Sequence, residues 1–162
     1  MAKKKFYKKA FREWLDTLAK VVVKNRDDFT CQINHDSECS GKMEPLDFNC
    51  QWVHIKSRKS NNTRWMILNA ICGCGHCHSW AHDNPNEFGV WFATKYPELN
   101  KYLNLPRKAH TWYESDFRLI ERQLLRKAID LEVDYLTVPE RGRGYQARFR
   151  KRIEEMKDTD IR

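Results

Sequence analysis

No carboxylate occurs between Asp47 and Asp83, although the 162-residue chain holds 22 aspartates and glutamates. Long apolar runs are missing as well. No stretch approaches the roughly 20 apolar residues that a membrane-spanning helix needs. The opening MAKKKFYKK leads into an amphipathic segment instead of an apolar one, so no secretory signal is expected. Internal repeats and extended low-complexity segments are also lacking, so a repeat array is not expected. The expected compartment, given no secretory signal, is a reducing one, the cytoplasm. There, six cysteines point to metal or redox chemistry, not to a disulfide framework.

What is present is charge and metal-ligand chemistry. A hydrophobic content of 41% over this length can bury one core, which predicts a single domain with appendages. The net charge of +8 and pI near 9.2 favour a polyanionic partner, either nucleic acid or an acidic membrane surface. The acid-free stretch contains Lys56, Arg58, Lys59 and Arg64. A second basic cluster comprises Arg141, Arg143, Arg148, Arg150, Lys151 and Arg152, and lysines crowd positions 3 to 9. The segment from His54 to His82 also holds four of the six histidines and three of the six cysteines. The chain is organised around it.

Phe11, Trp14, Leu15, Leu18 and Val22 recur at helical spacing and predict an amphipathic helix over residues 6 to 27. A polar, irregular stretch follows from Cys31 to Gly41. Gln51–Ile55 reads as a short strand, Ser57–Thr63 as a loop and Trp65–Ile71 as a second strand. A helix carrying His78 and His82 completes a strand–loop–strand–helix order. Asn84-Pro85-Asn86-Glu87 is a helix start, with Phe88, Trp91, Phe92 and Tyr96 as an aromatic core face ended by Pro97. Another helix is expected from Ser115, through Phe117, Ile120, Leu124, Ala128 and Leu131. Beyond Pro139 and a Gly142/Gly144 hinge, Tyr145, Phe149, Ile153 and Met156 mark a basic C-terminal helix.

Cys74-Gly75-His76-Cys77 admits three readings. It matches the CGHC of thiol–disulfide oxidoreductases, but that reading expects a βαβ thioredoxin-like context, and here further cysteines and histidines crowd around instead. With His78 it also spells the C-x-x-C-H haem-attachment pattern, which requires export. The favoured reading is a zinc knuckle, in which two thiolates approach one ion at about 2.3 Å. Cys31 and Cys39 are the expected second pair, with His35, Cys50 and Cys72 as possible substitutes. Cys50 and Cys72 are more simply small buried hydrophobes. His78 and His82, four apart, share a helical face and can reach one metal. His54 on the first strand is placed to meet His78.

Gln51-Trp52-x-His54-Ile55-x-Ser57-Arg58, then Arg64-Trp65, then Asn69-x₄-Cys74-x₂-Cys77-His78, resembles the HNH (ββα-metal) endonuclease family in its phage-encoded form. Residues 6 to 105 are also similar to the NinG/Rap recombination nucleases. The resemblance implies an α+β, mostly helical fold: a central ββα-metal unit with a zinc knuckle, flanked by N- and C-terminal helices. It divides the chain into a basic helix (1–30), a zinc-stabilised nuclease core (31–105) and a helical region with a basic tail (106–162). By resemblance, His54 is the general base, Asn69 pins the loop between the strands, and His78 with His82 holds a catalytic divalent cation (Mg2+, Mn2+, Ni2+ or Zn2+). Cys31, Cys39, Cys74 and Cys77 hold a structural Zn2+. Lys56, Arg58, Lys59, Arg64, Arg148 and Arg150 would contact DNA, duplex or branched. The implied setting is phage DNA recombination or processing in the bacterial cytoplasm. The C-terminal helices are candidates for contacting a second copy or another phage protein, and no membrane is involved. One departure from the family pattern is Val53, which stands where a metal ligand often precedes the base. The rival expectation is a zinc module that binds nucleic acid without cutting it.

Overall fold

The computed structural model describes residues 9–139 and 144–160. The lysines before Lys9, together with Arg141, Gly142 and Arg143, lie outside the described residues. The protein is α+β and mostly helical, with one two-stranded sheet among the described residues.

Helix α1 (Lys9–Arg26) forms along the apolar stripe of Phe11, Trp14, Leu15, Leu18 and Val22, all buried. Full burial of each such side chain contributes about 1.5–3 kcal/mol. The helix ends where Asp28 and Phe29 take left-handed φ angles of 49° and 52°, and the Phe29 N–H returns to the Lys24 carbonyl at 2.8 Å. That turn throws the chain back across the sheet. Strand β1 (Cys50–His54) then pairs antiparallel with β2 (Ala70–Cys74), Cys50 opposite Cys74 and His54 opposite Ala70. Helix α3 (Gly75–Asp83) starts directly from β2, with Cys74 as its N-cap.

The second strand does not run over Trp65–Ile71. It starts at Ala70, and the preceding run is split between a helical turn, α2 (Asn61–Arg64), and a 3-10 turn at Ile67–Asn69. Ser60 Oγ accepts from the Asn62 N–H and nucleates α2 inside what reads as a plain loop. Trp65 then turns into the helical core, 4% exposed, instead of alternating in a sheet. Pro85 opens α4 (Pro85–Lys95). Pro97 both stops that helix and opens α5 (Pro97–Leu103), a helix the sequence pattern does not announce. Helices α6 (Glu114–Asp130) and α7 (Tyr145–Asp160) complete the chain.

The apolar interior divides in two, and the division does not follow chain order. One core joins α1, α6 and α7 with Trp65. The other gathers Cys31, Ile33, Met43, Val53, Ile71, Cys74, Cys77 and Phe88 around the sheet and α3. Asp27, just past α1, stitches them together: its carboxylate accepts from the Cys72 N–H at 2.7 Å and pairs with Arg26, which donates to the Ile67 and Ala70 carbonyls. No helix of the described residues is long and apolar enough to cross a membrane.

Candidate metal centres and the histidine cleft

Four cysteines converge first. The loop after α1 is closed by a bridge between Thr30 and Lys42 and by the Cys31 N–H donating to the Gly41 carbonyl at 2.9 Å, with Gly41 at φ +60°. This curl brings Cys31 and Cys39 to Cys74 and Cys77, at the junction of β2 and α3. One ligand atom from each lies within 4.8 Å of all the others. Backbone N–H groups already serve the sulfurs: Gly41 donates to Cys39 Sγ at 3.5 Å and Cys77 to Cys74 Sγ at 3.4 Å. Burial raises the Cys39 and Cys77 thiols above their ordinary range. Burial also acts on Cys74, but the N–H groups of Cys77 and Ser40 and the adjacent thiols outweigh it, bringing that thiol down to about 6. Four crowded sulfurs with N–H donors suit a thiophilic dication, and the group fits structural zinc. Cys50 and Cys72 stand apart, their sulfurs 3.4 Å from each other in the second core.

Beside this cluster lies a second convergence. His35 Nε2 is 2.8 Å from Asp36 Oδ2, and His76 Nε2 is 3.0 Å from both Asp36 oxygens. His35 Nδ1 faces Cys77 Sγ at 3.4 Å. The bond to His76 lowers the Asp36 carboxyl and, reciprocally, raises the His76 imidazole. His35-Asp36 and the His of CGHC are ligand-type residues in the sequence. Only the curl of the 31–42 loop shows that they meet.

Three of the other four histidines, His54, His78 and His82, line a cleft of about 630 Å³ between β1, α3 and α4. His78 Nδ1 lies 2.5 Å from Gln51 Oε1, and His82 Nε2 lies 3.0 Å from His78 Nε2. An amide oxygen only accepts, so His78 Nδ1 carries the hydrogen and its Nε2 lone pair faces His82. Two imidazole nitrogens this close can both be ligands to one divalent cation. Burial first, then the neighbouring His82, lowers His78 to about 4. Gln51 is not among the expected site residues, although it opens both the strand and the motif that carry His54.

His54 opens on the same cleft but joins no ligand group of three or more among the described residues. Its Nε2 is 3.2 Å from the Arg64 carbonyl oxygen. That oxygen cannot donate, so the hydrogen sits on Nε2 and Nδ1 keeps its lone pair. Burial holds the imidazole below its ordinary value, hence neutral near pH 7. Asn69 is fully buried behind the cleft. It accepts from the Lys56 N–H at 2.8 Å and donates to the Lys56 and Thr63 carbonyls at 3.0 and 3.1 Å, which pins the 56–63 loop. Val53 packs against Gly73 in the second core and supplies no ligand.

Comparison with known proteins finds no matching family model, curated protein or solved structure. The site must therefore be read from its own chemistry. No carboxylate lines the cleft, while Lys56, Arg58 and Lys59 do. The other arginines expected to contact DNA, Arg64, Arg148 and Arg150, are engaged elsewhere. Arg64 is paired with Asp16 of α1 at 2.6 Å. Arg148 reaches the buried Glu121 at 3.3 Å and covers the Trp14 ring, and Arg150 lies over Tyr135. Neither α7 arginine lines the cleft.

Proposed function

We propose that this protein is a metal-dependent endonuclease that hydrolyses phosphodiester bonds in DNA, built on a ββα unit of the HNH type formed by β1, β2 and α3. The observation that carries the reading is His54: a neutral imidazole lining a cleft that holds a histidine pair, its Nε2 hydrogen spent on the Arg64 carbonyl and its Nδ1 without a hydrogen-bond partner among the described residues.

In this reading His54 Nδ1 takes the proton of a water as that water attacks phosphorus, a task suited to a group titrating below neutrality. Lys56, Arg58 and Lys59 hold the phosphates on either side of the scissile bond, and the lack of carboxylates in the cleft lets the polyanion approach. His78 and His82 would hold a divalent cation, which when bound supplies Lewis-acid stabilisation of charge on phosphate oxygens. Gln51 fixes the His78 tautomer, and Asn69 holds the loop that carries the basic residues. The Cys31/Cys39/Cys74/Cys77 group fastens the start of α3, and with it His78, to the loop after α1.

The test is cleavage of a supercoiled plasmid with Mg2+, Mn2+, Ni2+ or Zn2+ and a chelator control. His54→Ala should abolish nicking yet bind DNA and keep its zinc. Near wild-type cleavage by that variant would remove the base from the mechanism. Binding without any cleavage by the wild-type protein, under every cation, would favour the non-catalytic zinc module.

A further inference from the structure

The His35/Asp36/His76 group lies outside the histidine cleft, and its geometry asks for a cation. Three features converge. First, the three side chains bring one ligand atom each to within 4.8 Å of the others, from two separate parts of the chain. Second, His35 has an acceptor on both sides: Cys77 Sγ at 3.4 Å from Nδ1 and Asp36 Oδ2 at 2.8 Å from Nε2. Third, the His35 and His76 rings stack 5.1 Å apart at 20°, and both contact the one Asp36 carboxylate. Four thiolates around one dication leave a net charge of −2, and Asp36 and Glu38 deepen it. The place is locally negative in a basic protein.

We propose that His35, Asp36 and His76 form a second metal site beside the four-cysteine group, taking a divalent transition cation such as Zn2+, Co2+ or Ni2+. Two imidazoles with one carboxylate select these ions over Mg2+ and Ca2+, which prefer all-oxygen shells. Asp36 and His76 are 40% and 36% exposed, so the ion enters from solvent and water completes its coordination. Glu38 Oε2, 3.6 Å from His76 Nδ1, is the nearest further carboxylate. Bound there, the ion ties the 31–42 loop to the first turn of α3 a second time. The site does not depend on the nuclease reading.

Co2+ titration of the zinc-loaded full chain, followed by calorimetry, visible absorption and metal analysis, tests it. The wild-type protein should take up Co2+ without releasing its zinc. Asp36→Asn and His76→Gln should each weaken one uptake step at least tenfold while retaining one zinc per chain. His82→Gln should leave that step unchanged, which separates it from the cleft. If both Asp36→Asn and His76→Gln take up Co2+ like the wild type, or if the wild type takes up none, the proposal falls. Should Asp36→Asn lose its zinc through misfolding, His76→Gln alone decides, because His76 is partly exposed and its side chain holds no backbone group.

Discussion

At the scale of single residues, the cleft depends on two side chains that do opposite things. Asn69 is a hub: fully buried itself, it makes three hydrogen bonds to backbone groups of Lys56 and Thr63. Asn69→Ala takes the partner from one N–H and two carbonyls, and an unsatisfied group such as the buried Thr63 carbonyl costs about 1–3 kcal/mol. We expect a loss near 3 kcal/mol in urea denaturation, with unfolding of the 56–63 loop visible first by hydrogen exchange. A change under about 0.5 kcal/mol would mean the loop is held by something else. His54 is tuned instead of fastened. Burial keeps its folded pKa below 6.5, and the base works only when neutral. Activity should therefore hold as pH falls from 8 through 6.5 and decline only further down, at the lowered value. An acid limb centred above 6.5 in the kcat/KM profile would contradict this assignment.

The elements show what periodicity can and cannot reveal. α1, α4, α6 and α7 are legible because their apolar residues recur on one face and each buries that face in a core. Trp65–Ile71 is apolar too, but Trp65 faces one core and Ile71 the other, with a 3-10 turn between them. A run that is apolar but for Asn69 carries no period to separate that case from a strand. Arg64 reads as a phosphate grip because its partner, Asp16, is distant in sequence. Cys74 and Cys77 are legible from their C-x-x-C spacing, whereas ligand type leaves His35, Cys50 and Cys72 competing with Cys31 and Cys39, and only the folded loop selects that pair. The His35–His76 contact could not, because it rests on the curl of one loop.

Packing between elements gives two further tests. A Cβ on Gly73 would stand 2.6 Å from Val53 Cγ2 across the β1–β2 pair, so Gly73→Ala should cost about 1–3 kcal/mol. Val53→Ala in the same chain should recover part of that loss, and strict additivity of the two changes would disprove the clash. In the helical core, buried Glu121 of α6 accepts from the Trp14 indole at 2.7 Å and meets Arg118, Arg148 and Arg152. Burial opposes its ionisation, but the indole and the arginines outweigh it, and the carboxyl sits below its ordinary 4.5. Its stabilising contribution is complete above 4.5 and lost as pH falls through the lowered folded value. Glu121→Ala, which strands the buried Trp14 indole N–H while the part-exposed arginines keep their water, should cost about 1–3 kcal/mol at pH 7. Stability curves of mutant and wild type should converge in acid.

For the whole molecule, the two cores differ in what holds them. The core of α1, α6 and α7 is large and aromatic, with Trp14, Leu15, Leu18 and Leu125 fully enclosed. The core around the sheet has two short strands, a nine-residue helix and four cysteines in its centre. A two-stranded sheet is at best marginal by itself, so metal binding should supply much of this half's folding free energy. Chelation should therefore act locally. After metal removal, amide protection should vanish in 31–54 and 70–92 yet persist in the middles of α1 and α6, with most of the helical circular dichroism kept. Thermal unfolding should split from one transition into two. Uniform loss of protection across both cores would show instead that Asp27 and Arg26, which stitch α1 to β2, make the chain a single cooperative unit.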